Sequence, residues 1–121
     1  MTSITPLLLN SLSHDAGVRV EAEATLARAR VENRCEYLRA LACEVASSTS
    51  PKHARQLAGV MFKNALDAKD ENKKREVQQQ WLAIANEQRV SIKATIWQTL
   101  GDEASEIRHV AAQVVAKIAE I

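Results

Sequence analysis

The chain has 121 residues, 46% of them hydrophobic and 26% charged, and a formal net charge of +1. That length supports one domain with a modest core, and the near-zero charge argues against electrostatic capture by nucleic acid or by an anionic membrane surface. Three glycines, two prolines and 3% aromatics favour helix over sheet and a core of small aliphatic side chains, which lets helices approach closely.

Ile4 to Leu12 reads as a short apolar helix with Pro6 near its start, and Ser13 to Gly17 as a turn. Val18 to Val31 is a second helix with two apolar strips: Val18, Ala22, Leu26 and Ala29 on one side, Val20, Ala24, Ala27 and Val31 on the other. Such a helix is expected to lie between two neighbouring layers. Asn33 opens the third helix with Glu36 at a capping-box spacing, and Cys35, Leu38, Leu41, Ala42 and Val45 form its buried stripe.

After the polar loop Ser47 to Ser50 comes the best-defined element, Ser50 to Leu66. Ser50 is placed to cap it and Pro51 to occupy the first helical position. Ala54, Leu57, Ala58, Met61, Phe62 and Ala65 recur at the spacing of one buried face, with Lys52, Gln56, Gly59, Lys63 and Asp67 opposite. A polar loop, Asp67 to Asn72, leads into a charged, Gln-rich helix from about Asp70 to Ile84 that ends in the apolar cluster Trp81, Leu82 and Ile84. Asn86 is expected to cap a helix running to Leu100, with Val90, Ile96, Trp97 and Leu100 buried and Gly101 as a left-handed C-terminal cap. Asp102 to Ser105 is a turn, and Ile107 to Ile121 a final helix with Ile107, Val110, Ala111, Val114, Val115, Ile118 and Ile121 on one face.

Three helices share a phrase: Val18-Arg19-x-x-Ala22-x-x-x-Leu26, Ala54-Arg55-x-x-Ala58-x-x-x-Phe62 and Ile107-Arg108-x-x-Ala111-x-x-x-Val115. Asp15 and Asp102 stand just upstream of the first and third. Ala permits close helix approach, the large residue fills the space between layers, and Arg near a helix start can reach an Asp of the neighbouring repeat. Arg19, Arg55 and Arg108 are therefore read as inter-repeat ties, with partner contact as the alternative. The arginines are separated by 36 and 53 residues. The first spacing fits a helix-pair repeat of about 34–47 residues, and the helix from Asp70 to Ile84 lengthens the second. The competing explanation is chance, because Ala-rich amphipathic helices often contain R-x-x-A.

The Asp–Val–Arg–x-x–Ala pattern resembles HEAT repeats. Phe62-Lys63-Asn64-Ala65-Leu66, followed by Gln78-Gln79-Gln80-Trp81-Leu82-Ala83-Ile84, resembles the N-terminal domain of importin-β-type nuclear transport receptors, and the similarity covers nearly the whole chain. The resemblance implies an all-α superhelix, a HEAT-repeat solenoid of about three helix pairs plus one inserted helix. Val18–Val31, Ser50–Leu66 and Ile107–Ile121 are then the inner helices on the concave side. The resemblance implies a nuclear import receptor that binds the GTP form of a Ran-type GTPase with these repeats, and that handles nucleoporins and importin-α or cargo in the full-length receptor. By the same resemblance Gln56, Lys63, Asn64 and Lys69 contact the GTPase. The plain alternative is that Lys63 is a solvated surface lysine and Asn64 bonds a neighbouring helix. Such receptors are far longer, and the last apolar face, with Ile118 and Ile121, needs a following repeat to cover it. Residues 1–121 are thus expected to be the N-terminal region of a longer solenoid.

No enzyme chemistry is legible. His14, His53 and His109 lack metal-ligand spacing, and no phosphate-binding loop or nucleophile motif is present, so neither a metal nor a cofactor is expected. Lys73-Lys74-Arg75 is flanked by Asp70, Glu71 and Glu76, as on a solvated helix face, and is not a nucleic-acid patch. Trp81 and Trp97 are read as core. No apolar run approaches a membrane span of about 20 residues. Cys35 and Cys43 lie eight residues apart in one helix, about 12 Å along its axis, too far for a disulfide. They suit a reducing compartment, cytoplasm or nucleus, in line with a shuttling receptor. A HEAT scaffold that assembles a multi-protein complex, with no GTPase role, is the alternative function.

Overall fold

The computed structural model describes residues 4–121. They form seven helices: α1 (Thr5–Ser11), α2 (Ala16–Glu32), α3 (Arg34–Ala46), α4 (Lys52–Ala65), α5 (Glu71–Ala83), α6 (Asn86–Thr99) and α7 (Ser105–Ala119). Short connections fold α1 on α2, α3 on α4 and α6 on α7 as three pairs. Between the second and third pairs like packs on like, α3 on α6 and α4 on α7. The helix α5 is the insertion between those pairs.

Caps are made by aspartates. Asp15 Oδ1 accepts from the backbone N–H of Gly17 (2.9 Å) and Val18 (3.2 Å), and Asp70 Oδ1 from Asn72 (2.7 Å) and Lys73 (3.3 Å). The other expected caps do not form. Asn33 precedes α3 without a side-chain capping bond, and Glu36 instead bonds Arg39. Pro51 takes the N-cap position of α4, while the Ser50 hydroxyl turns back to Ser47 Oγ at 3.1 Å. Ala85, not Asn86, precedes α6. Gly101 has no positive φ; Leu100 closes α6 in ordinary helical geometry.

One core runs through the described residues. Leu38, Leu41, Ala42 and Val45 of α3 meet Ala54, Ala58, Phe62 and Ala65 of α4, and Ile92 and Ile96 of α6 meet Ile107, Ala111 and Val114 of α7. Trp81 fixes α5 to this core edge-on against Phe62, ring centroids 6.4 Å apart at 70°, a contact worth about 1 kcal/mol beyond its area. Tyr37 and Glu44 are also buried, although the sequence pattern does not mark them; Thr5 Oγ1 donates to Glu44 Oε1 at 2.6 Å.

Two expected burials are overturned. Trp97 is 65% exposed and Val90 51%, because α6 turns Ile92, Ile96 and Thr99 inward instead. The sandwich expected for α2 also fails. Ala22 and Leu26 are buried, but Val18, Val20 and Val31 are exposed. The first pair docks diagonally, α1 against α4 and α2 against α3, so no layer covers the second apolar strip of α2.

Candidate functional site

The residues expected to meet a partner lie on and just after α4. Gln56 and Lys63 are half-buried and two turns apart, about 10 Å along the axis. Asn64 is exposed beside Lys63, and Lys69 is exposed in the connection to α5. Among the described residues none of these four side chains has a hydrogen bond or ion pair. The backbone beneath them is tied down: Arg30 donates to the Asn64 carbonyl (3.3 Å) and Arg34 to the Ala65 carbonyl (2.6 Å). The structure thus presents two lysines and two amides along α4 and the connection that follows it, available to an acidic or polar surface. Gly59 is not part of this stripe. It is buried against α7, and Val60, 38% exposed, takes the outward place.

Alongside the stripe runs the seam between α4 and α7. Lys52 Nζ lies 3.3 Å from Glu106 Oε2 near the start of both helices, and Lys117 Nζ lies 3.3 Å from Asp67 Oδ1 at their ends. Between them Arg55, 6% exposed, donates through Nε to the Val45 carbonyl (3.0 Å) and through Nη2 to Asp102 Oδ2 (2.5 Å). Arg55 therefore joins the end of α3, the start of α4 and the turn before α7. The Asp102 carboxylate also accepts from the Ala104 backbone N–H at 2.9 Å.

The three repeated arginines do not share one role. Arg19 Nη1 donates to the Ser13 carbonyl (3.1 Å), and Arg108 Nη1 to the carbonyls of Asp102 (2.7 Å) and Glu103 (3.0 Å). Each of these two closes the turn six residues before its own position, not a neighbouring repeat. Only Arg55 crosses between pairs, and Asp15 is a local cap. The reason is in the turns: the one before α7 offers Asp102, whereas Ser47-Ser48-Thr49-Ser50 before α4 has no acid to receive Arg19.

Three carboxylates of the seam are held below their ordinary range. Asp102 is lowered first by the Arg55 hydrogen bond and then by the Ala104 N–H. Asp67 is lowered by Lys117, and Glu106 by a backbone N–H and then by Lys52. All three favour the ionised form because hydrogen-bond donors stabilise the anion, a side chain of the facing helix first for Asp102 and Asp67, and its own backbone N–H first for Glu106.

On the other flank of α4 the helices part. A cavity of about 440 Å³ opens between α2 and α4. Leu26, Ala27 and Val31 of α2, Leu57 and Met61 of α4, and Tyr37 line it, with Glu23 and Arg30 at its rim. Leu57 and Met61, expected in the buried stripe, are only half-buried for this reason. A second apolar hollow, about 300 Å³, lies against α6 and α7 between Lys93, Ile96, Trp97, Val115, Ile118 and Ala119.

Among the described residues no three His, Cys, Asp or Glu side chains are grouped to hold a metal, and no helix is long and apolar enough to cross a membrane. Cys35 is half-buried and Cys43 exposed, both as free thiols.

Residues 22–102 match the family described as Importin-beta N-terminal domain. Importin subunit beta-1 of Arabidopsis thaliana is 40% identical over 118 residues, which is 98% of this chain and 14% of that protein. Two solved structures of a Kap95 protein superpose closely, each 28% identical: one in which Kap95p binding induces the switch loops of RanGDP to adopt the GTP-bound conformation (TM-score 0.92, 96% of this chain and 14% of that one), and one of a Kap95:Nup1 complex (TM-score 0.93, 97% and 14%). The chain spans about one seventh of the length of the relatives it matches.

Proposed function

We propose, from the premise that this chain belongs to the importin-β N-terminal domain family, that it works in nuclear import by binding a Ran-type GTPase in its GTP form. The match of 96% of the chain to a Kap95p seen with Ran carries the reading. The binding surface is the α4 stripe, with Gln56, Lys63, Asn64 and Lys69 as its polar contacts and the adjoining seam with α7 as its support. Lysines on α4 and the connection that follows it suit a partner face that carries carboxylates, and they raise the rate of encounter as well as affinity. Residues 1–121 act as the N-terminal HEAT-repeat region of a longer receptor, which supplies the sites for nucleoporins and for importin-α or cargo. The chain has a binding role and no catalytic one, and the receptor moves between cytoplasm and nucleus.

A titration of the chain with a Ran-type GTPase, loaded with a GTP analogue or with GDP, tests this. The GTP form should bind more tightly. Lys63→Glu should weaken that binding by about 5- to 30-fold and leave the unfolding transition unchanged, as expected for a rim charge whose sign is reversed. Equal affinity for the two nucleotide forms, or an unaltered Lys63→Glu, would contradict the reading.

A further inference from the structure

At Gly59 the seam between α4 and α7 leaves no room for a side chain. A β-carbon added there would meet Val110 Cγ2 at 2.5 Å, nearer than non-bonded carbons lie, and Cγ1 at 3.1 Å, an unusually tight contact. Gly59 sits inside a helix in ordinary helical conformation, where glycine destabilises relative to alanine. No turn or left-handed φ requires it. What the missing side chain provides is approach: Val110 enters the space it leaves, and the backbones of α4 and α7 are drawn together at the middle of the seam. The ion pairs Lys52–Glu106 and Asp67–Lys117 lie near the two ends of the same seam.

We propose that Gly59 is a positioning residue for GTPase recognition: its contact with Val110 sets the spacing of α4 and α7, and with it the placement of Gln56 and Lys63 relative to the α7 surface. This rests on the GTPase-binding reading above. Gly59 touches no partner itself. It acts because a rigid partner reads two helices at once, and a face is matched only when its elements stand within about half an ångström of the right spacing.

The experiment compares the wild-type chain with Gly59→Ala, Val110→Ala, Gly59→Ala/Val110→Ala and Val110→Ile. Two readouts are taken: affinity for a Ran-type GTPase loaded with a GTP analogue, and the yield of zero-length carbodiimide cross-links Lys52–Glu106 and Lys117–Asp67, resolved by mass spectrometry. Gly59→Ala should lower both cross-link yields and weaken binding by about 3- to 30-fold, and Val110→Ala in the same chain should restore most of both, as expected for two residues in direct contact. Val110→Ile, which adds one methylene from the opposite side, should act in the same direction even if Gly59→Ala does not fold. Unchanged binding in a Gly59→Ala chain whose cross-links fall would overturn the positioning role. Unchanged cross-links would overturn the spacing role. A wild-type chain that cross-links normally and binds neither nucleotide form would retire the GTPase reading, and the positioning role with it.

Discussion

The two flanks of α4 are built differently from similar material. Towards α7 the helices are drawn together at Gly59, tied by Arg55 to Asp102, and bridged at both ends. Towards α2 they stand apart around a cavity of about 440 Å³, with Arg30 reaching across to the Asn64 carbonyl. Both second helices begin with the same phrase, an apolar residue, Arg and then Ala. The contrast comes from what each phrase meets. Arg55 finds an acid in the turn before α7, whereas the turn before α4 carries no acid and Arg19 folds back on its own turn. A repeat is therefore not a unit of equal stability. A single Asp in the following turn, and a single Gly where two helices meet, distinguish the way the second and third pairs join from the way the first and second do.

The largest expected effect comes from cutting the closed flank. Arg55→Ala leaves Asp102 with its charge unpaired and the Val45 carbonyl without its donor, and should destabilise the chain by about 3 kcal/mol. Urea unfolding would show this as a lower midpoint at constant slope. Arg19→Ala is the control on the open flank and should shift the midpoint far less. A loss in Arg19→Ala equal to that in Arg55→Ala would erase the contrast.

Acid should act on the same flank. Asp102, Asp67 and Glu106 all have folded values below their unfolded ones. Their contribution is fully present above the ordinary carboxylate range and is lost as pH falls through the lowered folded values. Stability should therefore fall on acidification below pH about 4. In Asp102→Asn part of this fall should already be present at neutral pH, so its profile should be flatter across that range. A parallel profile for the two chains would show that Asp102 is not held by Arg55.

Filling the open flank should cost little. Ala27→Leu adds volume to a cavity lined by Leu26, Val31, Leu57 and Met61, and should change stability by less than about 1 kcal/mol, in either direction. A much larger loss would mean that α2 and α4 lie closer than the cavity indicates. The smallest effect is expected for Lys52→Ala, because its ion pair with Glu106 is half-exposed on both sides and such pairs add little. Its thermal midpoint should match wild type within error, and its effect should appear only in the cross-link it removes.

Much of this was legible in the sequence, and the failures share a cause. Periodicity located all seven helices of the described residues, the inserted α5 among them, and Trp81, expected in the core, is buried there. Trp97, Val90 and the second strip of α2 carry the same helical spacing yet stand exposed, since spacing reveals an apolar face and not whether a neighbour covers it. Gly59 read as one of the polar positions because it has no side chain to declare its side. Only the distance to Val110 reveals its place. The aspartate caps were readable from residue type, Asp15 and Asp70 both preceding helices. Ser50 and Asn86 had the right chemistry one position from where it could act, Ser50 bonding Ser47 as well, whereas Asn33 stands at the N-cap of α3 without making the side-chain bond. The asymmetry of the arginines was also within reach, because the turn before α4 lacks an acid. For the α4 stripe, the structure supplies location and freedom for Gln56, Lys63, Asn64 and Lys69, while the proposal that they meet a GTPase rests on the family resemblance.

Amide hydrogen exchange on the wild-type chain tests the contrast between the flanks most directly. The interior amides of α4 and of the first half of α7 should exchange slowly and together, as one unit. Those of α2 should exchange faster through a separate opening. Protection in α2 equal to that in α4, or α7 opening independently of α4, would contradict the account.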